Sequence, residues 1–255
     1  MNIKVLKETP DYLVISKPIG ISVHPTSPNM GYAGLAKGAG EKKFTIRDWL
    51  LEKYPQIQNL PWKTKMREGI VHRLDKDTSG ILLLAKTPEA LDFFQDQFRE
   101  RKIEKHYTAL VFGIPKPESG EITALLRRDP RDRERQKVEL MDFGTDEAER
   151  KLSATRYRVA KTLNFRGQDL AFLDIQILTG RKHQIRAHMK YIGCPVVGDQ
   201  KYFTKPSRRF AKTLGLDHQL LHASSLKFRG YPDGKVVEIT DELPKEFSIF
   251  LQAEK

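Results

Sequence analysis

Cysteine is almost missing from this 255-residue chain, which has Cys194 alone. A single thiol forms no internal disulfide and no multi-thiolate zinc site, so a disulfide scaffold is excluded. No apolar run approaches the roughly 18–20 residues that a membrane helix needs. The opening Met1-Asn2-Ile3-Lys4-Val5 lacks the apolar core and small-residue cleavage site of an export signal. No segment recurs at a fixed period, which excludes solenoids and propellers. Hydrophobic residues at 39% and charged residues at 31% leave no case for disorder. A cytoplasmic globular protein is the expectation.

Acidic residues are the scarcer charge. Lys and Arg number 45 against 33 Asp and Glu, a net charge of +12. An excess of that size attracts polyanions, nucleic acid foremost, with anionic lipid or simple solubility as the other readings. Composition alone does not separate RNA from DNA.

The pattern along the chain predicts one domain over 1–255, with loop excursions near 31–43 and 127–152. The first has four glycines between Gly31 and Gly40 and no apolar period, which reads as a flexible loop. Strands are expected at Asp11–Ser16, at the apolar run Gly80–Lys86, at Tyr107–Phe112, and where Ala171, Leu173, Ile175 and Ile177 alternate. Thr45 is suited to cap a helix carrying Ile46, Trp49 and Leu50, and Thr87-Pro88 to open one carrying Leu91, Phe94 and Phe98. A third helix is predicted from His183 to Ile192, stopped by Gly193 and Pro195, with His183, Arg186 and Lys190 sharing a face. These elements make an α+β protein with a mixed, largely antiparallel sheet flanked by short helices and loops.

Four stretches carry chemistry. His72-Arg73-Leu74-Asp75-Lys76-Asp77-Thr78-Ser79-Gly80 runs straight into an apolar strand, a costly setting for charge unless the groups pair or work. An Asx-type turn with local ion pairing is the bland alternative. Thr179-Gly180-Arg181-Lys182-His183 precedes a helix and suits an anion, or is a capped basic helix facing water. His183 and His188 do not share a helical face and lack a third ligand, so no metal site is expected. Tyr107 opens a strand as either a core residue or a platform for a base. Five arginines between Arg127 and Arg135 sit among Asp129, Asp132 and Glu134, either as a self-neutralising hairpin or as a finger that grips phosphates.

In order, these segments resemble the RluA-type pseudouridine synthases. Lys17-Pro18-Ile19-Gly20 through His24-Pro25 is similar to the family's first motif, and His72-Arg73-Leu74-Asp75 with Thr78-Ser79-Gly80 to its signature. Lys105-His106-Tyr107 through Gly113 resembles the tyrosine-bearing strand. Arg128-Asp129-Pro130 with Arg131-Asp132-Arg133 resembles the hairpin that pinches RNA. Thr179-Gly180-Arg181 with His183-Gln184-Ile185-Arg186 and His188, then Gly193-Cys194-Pro195 and Gly198-Asp199, resembles the third motif, and Leu221-His222-Ala223 completes the order.

The resemblance implies the pseudouridine synthase fold and an isomerase without metal, nucleotide or other cofactor that converts uridine in ribosomal or transfer RNA into its C-glycoside. It implies that Asp75 is the nucleophile, attacking ribose C1′ or uracil C6. A partly buried carboxylate needs a nearby cation to stay ionised, and Arg186 is the matching residue. Tyr107 would stack on the flipped base, and Arg73 would fill the gap in the RNA stack. His72, Arg128, Arg131, Arg133, Arg181 and His183 are further candidate RNA contacts.

Three departures from the family pattern are expected to matter. The appended N-terminal RNA-binding domain of many relatives is expected to be absent before the first strand. The segments 31–43 and 144–152 look long. Arg229-Gly230-Tyr231-Pro232 replaces the more usual His-Pro. A monomer without membrane contact is expected. Two other readings stand beside the enzyme: a catalytically silent RNA-binding or ribosome-assembly protein on the same scaffold, and a nuclease using His72 and His183.

Overall fold

Strand β1 (Lys4–Glu8) folds back on β2 (Tyr12–Lys17), and β2 pairs antiparallel with β3 (Ser79–Ala85). Thr9 closes the turn between β1 and β2, its Oγ1 accepting from the backbone N–H groups of Asp11 and Tyr12. The β2–β3 register runs from Tyr12 opposite Ala85 to Lys17 opposite Gly80. Every residue of β3 is buried, as its unbroken apolar run predicts for a strand covered on both faces.

The computed structural model describes residues 3–25, 44–139 and 151–252, with Lys151 described by its backbone only. The expected loop at 31–43 and residues 140–150 of the second excursion lie outside the described residues. The chain forms two compact units, Met1–Ile103 with Lys227–Asp241 and Glu104–Leu226 with Glu242–Lys255.

In the first unit, helix α1 (Ile46–Lys53) begins with the predicted Thr45 cap. The Thr45 hydroxyl accepts from Asp48 N, and the Asp48 carboxylate accepts from Thr45 N, so two orphan donors are satisfied reciprocally. Helix α2 (Pro88–Arg99) starts after Thr87 as expected and buries Leu91 and Phe94. The Phe94 ring meets Tyr12 and Phe228 edge to face, at 5.2 and 5.7 Å between centroids. Gly69 fits where no other residue would. Its φ is +69°, and an added Cβ would lie 2.4 Å from the Ala85 carbonyl oxygen.

The second unit is built on β4 (Glu104–Phe112), β5 (Ser119–Arg128), β6 (Gln136–Glu139), β7 (Lys151–Phe165) and β8 (Gln168–Ile177). They lie in the order β4-β8-β7-β5-β6, each neighbouring pair antiparallel. Ala171, Leu173, Ile175 and Ile177 are buried on β8 as their alternation predicts. Leu170 and Phe172 on the opposite face join a core with Leu110, Leu163, Phe247 and Phe250. Burying each such side chain contributes about 1.5–3 kcal/mol. Helix α3 (Gln184–Tyr191), helix α4 (Lys205–Thr213) and strand β9 (Leu221–Arg229) follow. Strand β10 (Val236–Thr240) lies in the part of the chain returned to the first unit, and the short α5 (Ser248–Leu251) in that returned to the second. The fold class is the expected one: α+β, mostly antiparallel, with short helices.

The third helix corrects the sequence reading. It starts at Gln184, because His183 is in the left-handed region with φ +56° and cannot continue a right-handed turn. The face predicted to join His183, Arg186 and Lys190 therefore does not form. Arg186 points into the interior, 5% exposed, beside buried Ile185 and Met189.

Candidate active site

In the first unit, Asp75 sits four residues before β3 and is half-buried, while Arg73 is exposed. The Asp75 carbonyl accepts from Thr78 N at 3.2 Å, closing a tight turn into the strand. His72 Nε2 accepts from Leu83 N at 3.1 Å, so the ring is neutral with its proton on Nδ1. The same ring stacks on Phe98 at 4.6 Å. His72 thus braces the segment leading to Asp75 against β3.

A second brace comes from the end of β2. Lys17 is fully buried, and its ammonium donates to the carbonyls of Pro18, Ile21 and Lys76 at 2.7, 3.1 and 2.9 Å. Gly20 N donates to the Lys76 carbonyl as well, at 3.1 Å. Two donors from Lys17-Pro18-Ile19-Gly20 therefore fix the peptide just after Asp75. Burial pulls the Lys17 pKa down to about 7, against the opposing pull of the Asp77 and Asp75 charges. Sequence reading placed Lys17 in a motif and gave it no task. Its only signal was a lysine at the end of an otherwise apolar strand.

In the second unit, the segment before α3 is held by Gln184, whose amide is fully used. Its Oε1 accepts from Thr179 Oγ1 and Arg181 N, and its Nε2 donates to Ala154 O and Thr155 Oγ1, all within 2.7–3.0 Å. The His183 Nδ1 lies 3.0 Å from the Tyr202 hydroxyl, which also accepts from Gln136 N. His183 Nδ1 and the Tyr202 hydroxyl share one hydrogen bond, whose direction follows the His183 tautomer. His188, fully buried, holds α3 to β7 through Nε2 and the Ser153 hydroxyl at 2.9 Å. Burial lowers the His188 pKa to about 4, so the imidazole is neutral at physiological pH.

Arg186 has a partner that sequence reading missed. Its Nε and Nη2 donate to the two oxygens of Asp199 at 2.6 and 2.9 Å, a bidentate pair with side chains 6% and 0% exposed. Asp199 Oδ1 also accepts from Lys201 N and Tyr202 N at 2.8 and 2.9 Å. The guanidinium lies 5.2 Å from the centroid of Tyr202. Gly198 makes the turn that presents Asp199. Its φ is +82°, and a Cβ there would stand 2.0 Å from the His218 carbonyl oxygen. The signal was the Gly198-Asp199 dipeptide itself, an acid directly after a turn glycine.

The remaining candidates lie elsewhere in the second unit. Tyr107 is buried on β4 opposite Ile175 of β8. Arg181 is half-buried, its Nε donating to Leu152 O at 3.3 Å. The arginine stretch is a β5–β6 hairpin, with Arg128 opposite Gln136. Arg127 pairs with Glu139 and Arg135 with Asp132. Among the described residues, Arg128, Arg131 and Arg133 have no carboxylate within ion-pair distance, unlike Arg127 and Arg135. No cluster of three metal-ligating side chains occurs among the described residues. No described helix is long and apolar enough to cross a membrane.

A mostly antiparallel α+β scaffold with a braced aspartate before a buried strand, and a hairpin tipped with unpaired arginines, has the make-up of an enzyme acting on a polyanion. Residues 11–191 match the RNA pseudouridylate synthase family. The chain belongs to that family of isomerases acting on RNA. It is 37% identical to an RNA pseudouridine synthase of Chloroflexus aurantiacus, over 93% of this chain and 65% of that protein. It is 31% identical to the ribosomal large subunit pseudouridine synthase D of Haemophilus ducreyi, over 99% of this chain and 71% of that one. The solved human RNA pseudouridylate synthase domain containing 1 superposes with a TM-score of 0.70 at 25% identity, covering 99% of this chain and 87% of that one.

Proposed function

We propose that the chain, working as one catalytic domain over 1–255, isomerises uridine to pseudouridine in structured RNA with Asp75 as its nucleophile. The observation that carries the reading is the fixed setting of Asp75: Lys17 and Gly20 hold the peptide that follows it, and His72 holds the segment before it. A nucleophile held in place avoids the entropic cost of orienting it during reaction. Attack by the carboxylate at ribose C1′ or uracil C6 releases N1 of the base from the sugar. The uracil turns, C5 bonds to C1′ as the Asp75 carboxylate leaves the carbon it attacked, N1 takes up a proton, and the C5 proton passes to water. Arg186, held by both oxygens of Asp199, is the cation that the family resemblance assigns to the nucleophile. Tyr107 stacks on the base, and Arg73 occupies its place in the RNA. Arg128, Arg131 and Arg133 bind phosphates, and His183 and Arg181 add further RNA contacts. Ribosomal RNA is the favoured substrate over transfer RNA because several relatives carry the name of a large-subunit ribosomal enzyme. The protein acts as a cytoplasmic monomer.

The test uses ribosomal and transfer RNA transcripts tritiated at uracil C5. Wild-type protein is expected to release tritium to water from at least one pool. Asp75→Asn is expected to abolish release, with no turnover above background, while binding the same RNA. Retained turnover in that variant removes Asp75 from the role of nucleophile. Binding without release by the wild type turns the reading to a silent RNA-binding protein.

A further inference from the structure

Helix α4 carries a cationic stripe that the reaction does not use. Its buried side is Ser207, Phe210 and Ala211, with Phe210 against Phe112 at 5.7 Å. Its exposed side is Lys205, Arg208, Arg209 and Lys212. These fall at i, i+3, i+4 and i+7, one continuous face about 10 Å long.

The arrangement is unfavourable for the protein by itself. Like charges at these spacings repel, and the first turn of a helix disfavours cations. The capping box at Thr204 closes on Ser207, where an acidic or amide side chain commonly sits, and α4 has no acidic residue. None of the four cations has a carboxylate partner among the described residues. Other exposed cations do: Lys63 with Asp92, Arg156 with Glu121, Arg158 with Asp174 and Lys235 with Asp233.

The stripe also adjoins the basic hairpin. The ring of Phe203 has the Arg208 guanidinium at 4.6 Å and that of Arg135 at 5.7 Å. Lys201 beside it pairs with Glu134 of the hairpin. We propose that α4 is a second phosphate-binding face, which grips the RNA flank beyond the segment held by the hairpin. This rests on the reading of the protein as an RNA-directed enzyme and adds where the RNA continues.

The experiment measures the affinity of the full chain for a structured ribosomal RNA fragment across a salt series. The variant replaces Lys205, Arg208, Arg209 and Lys212 by Gln, a good helix former. Its log Kd against log salt is expected to lose about 2–3 units of slope relative to wild type. Arg208→Lys with Arg209→Lys keeps the charge and is expected to keep the slope. If thermal unfolding shows the fourfold variant misfolded, Lys205→Gln with Lys212→Gln is expected to lose about half as much. An unchanged slope in the folded variants overturns the proposal. So does a loss confined to binding of phosphatidylserine vesicles, which would assign the stripe to lipid. Tritium release by the wild type, followed in the same samples, tells a failure of this proposal from a failure of the enzyme reading.

Discussion

At the scale of single residues, the site depends on charges taken out of water and then satisfied. Lys17 is the clearest case. Buried and with its pKa pulled down to about 7, it binds its proton less tightly in the folded chain than in the unfolded one. Between pH 7 and about 10.5 the unfolded chain holds the extra proton, so stability gains with rising pH across that window. Unfolding of wild type and Lys17→Met by urea at pH 6.5, 8 and 9.5 is expected to show a stability difference that moves in favour of wild type as pH rises. Its slope cannot exceed about 1.4 kcal/mol per pH unit. A difference independent of pH would mean that the ammonium is not titrating in that range. Asp199 is the second case. Asp199→Asn removes the buried carboxylate that both Nε and Nη2 of Arg186 donate to, an expected loss of about 3–5 kcal/mol. Denaturant titration reads that loss directly, and a change below about 1 kcal/mol would remove Asp199 as the anchor of Arg186.

At the scale of elements, short caps and turns place these residues. The Thr45 and Thr87 caps set α1 and α2, and their signals are local, so both helices were legible in the sequence. The β5–β6 hairpin is legible as well, but its charge state is not. Only the folded hairpin shows that Arg127 and Arg135 are neutralised while Arg128, Arg131 and Arg133 are not. Replacing Arg131 and Arg133 by Gln is expected to raise KM for RNA severalfold at low salt and to matter less as salt increases. Steady-state tritium release at two salt concentrations checks this. An unaltered KM at low salt would take the hairpin tip out of RNA binding. Helix α3 shows where local signals mislead. Its apolar spacing reads as helix from His183, whereas the Gln184 amide network and the Tyr202 hydroxyl hold that residue in a left-handed turn.

At the scale of the whole molecule, the net charge of +12 is unevenly used. Many surface lysines and arginines are spent on local carboxylates, worth little to stability in water. Among the described residues, unpaired cations stand together on the hairpin tip and on α4, where like charges repel until a polyanion arrives. An affinity for RNA that falls steeply with salt is the expected consequence of this distribution rather than of any one residue. Asp75 and the groups that brace it belong to the first compact unit, and Arg186, Tyr107 and the basic hairpin and helix to the second.

The order of motifs, the fully apolar β3, the capped helices and the basic excess are written in the sequence, because each is a matter of neighbours within a few residues. From them the family and the candidate nucleophile follow. The tertiary structure decided the rest. Lys17 reaches Lys76 across 59 positions of chain, and Arg186 finds Asp199 13 residues on, beyond a turn that only glycine can make. Burial and ion pairing are properties of what the folded chain brings together, and no periodicity along the sequence encodes which charge will be left without water.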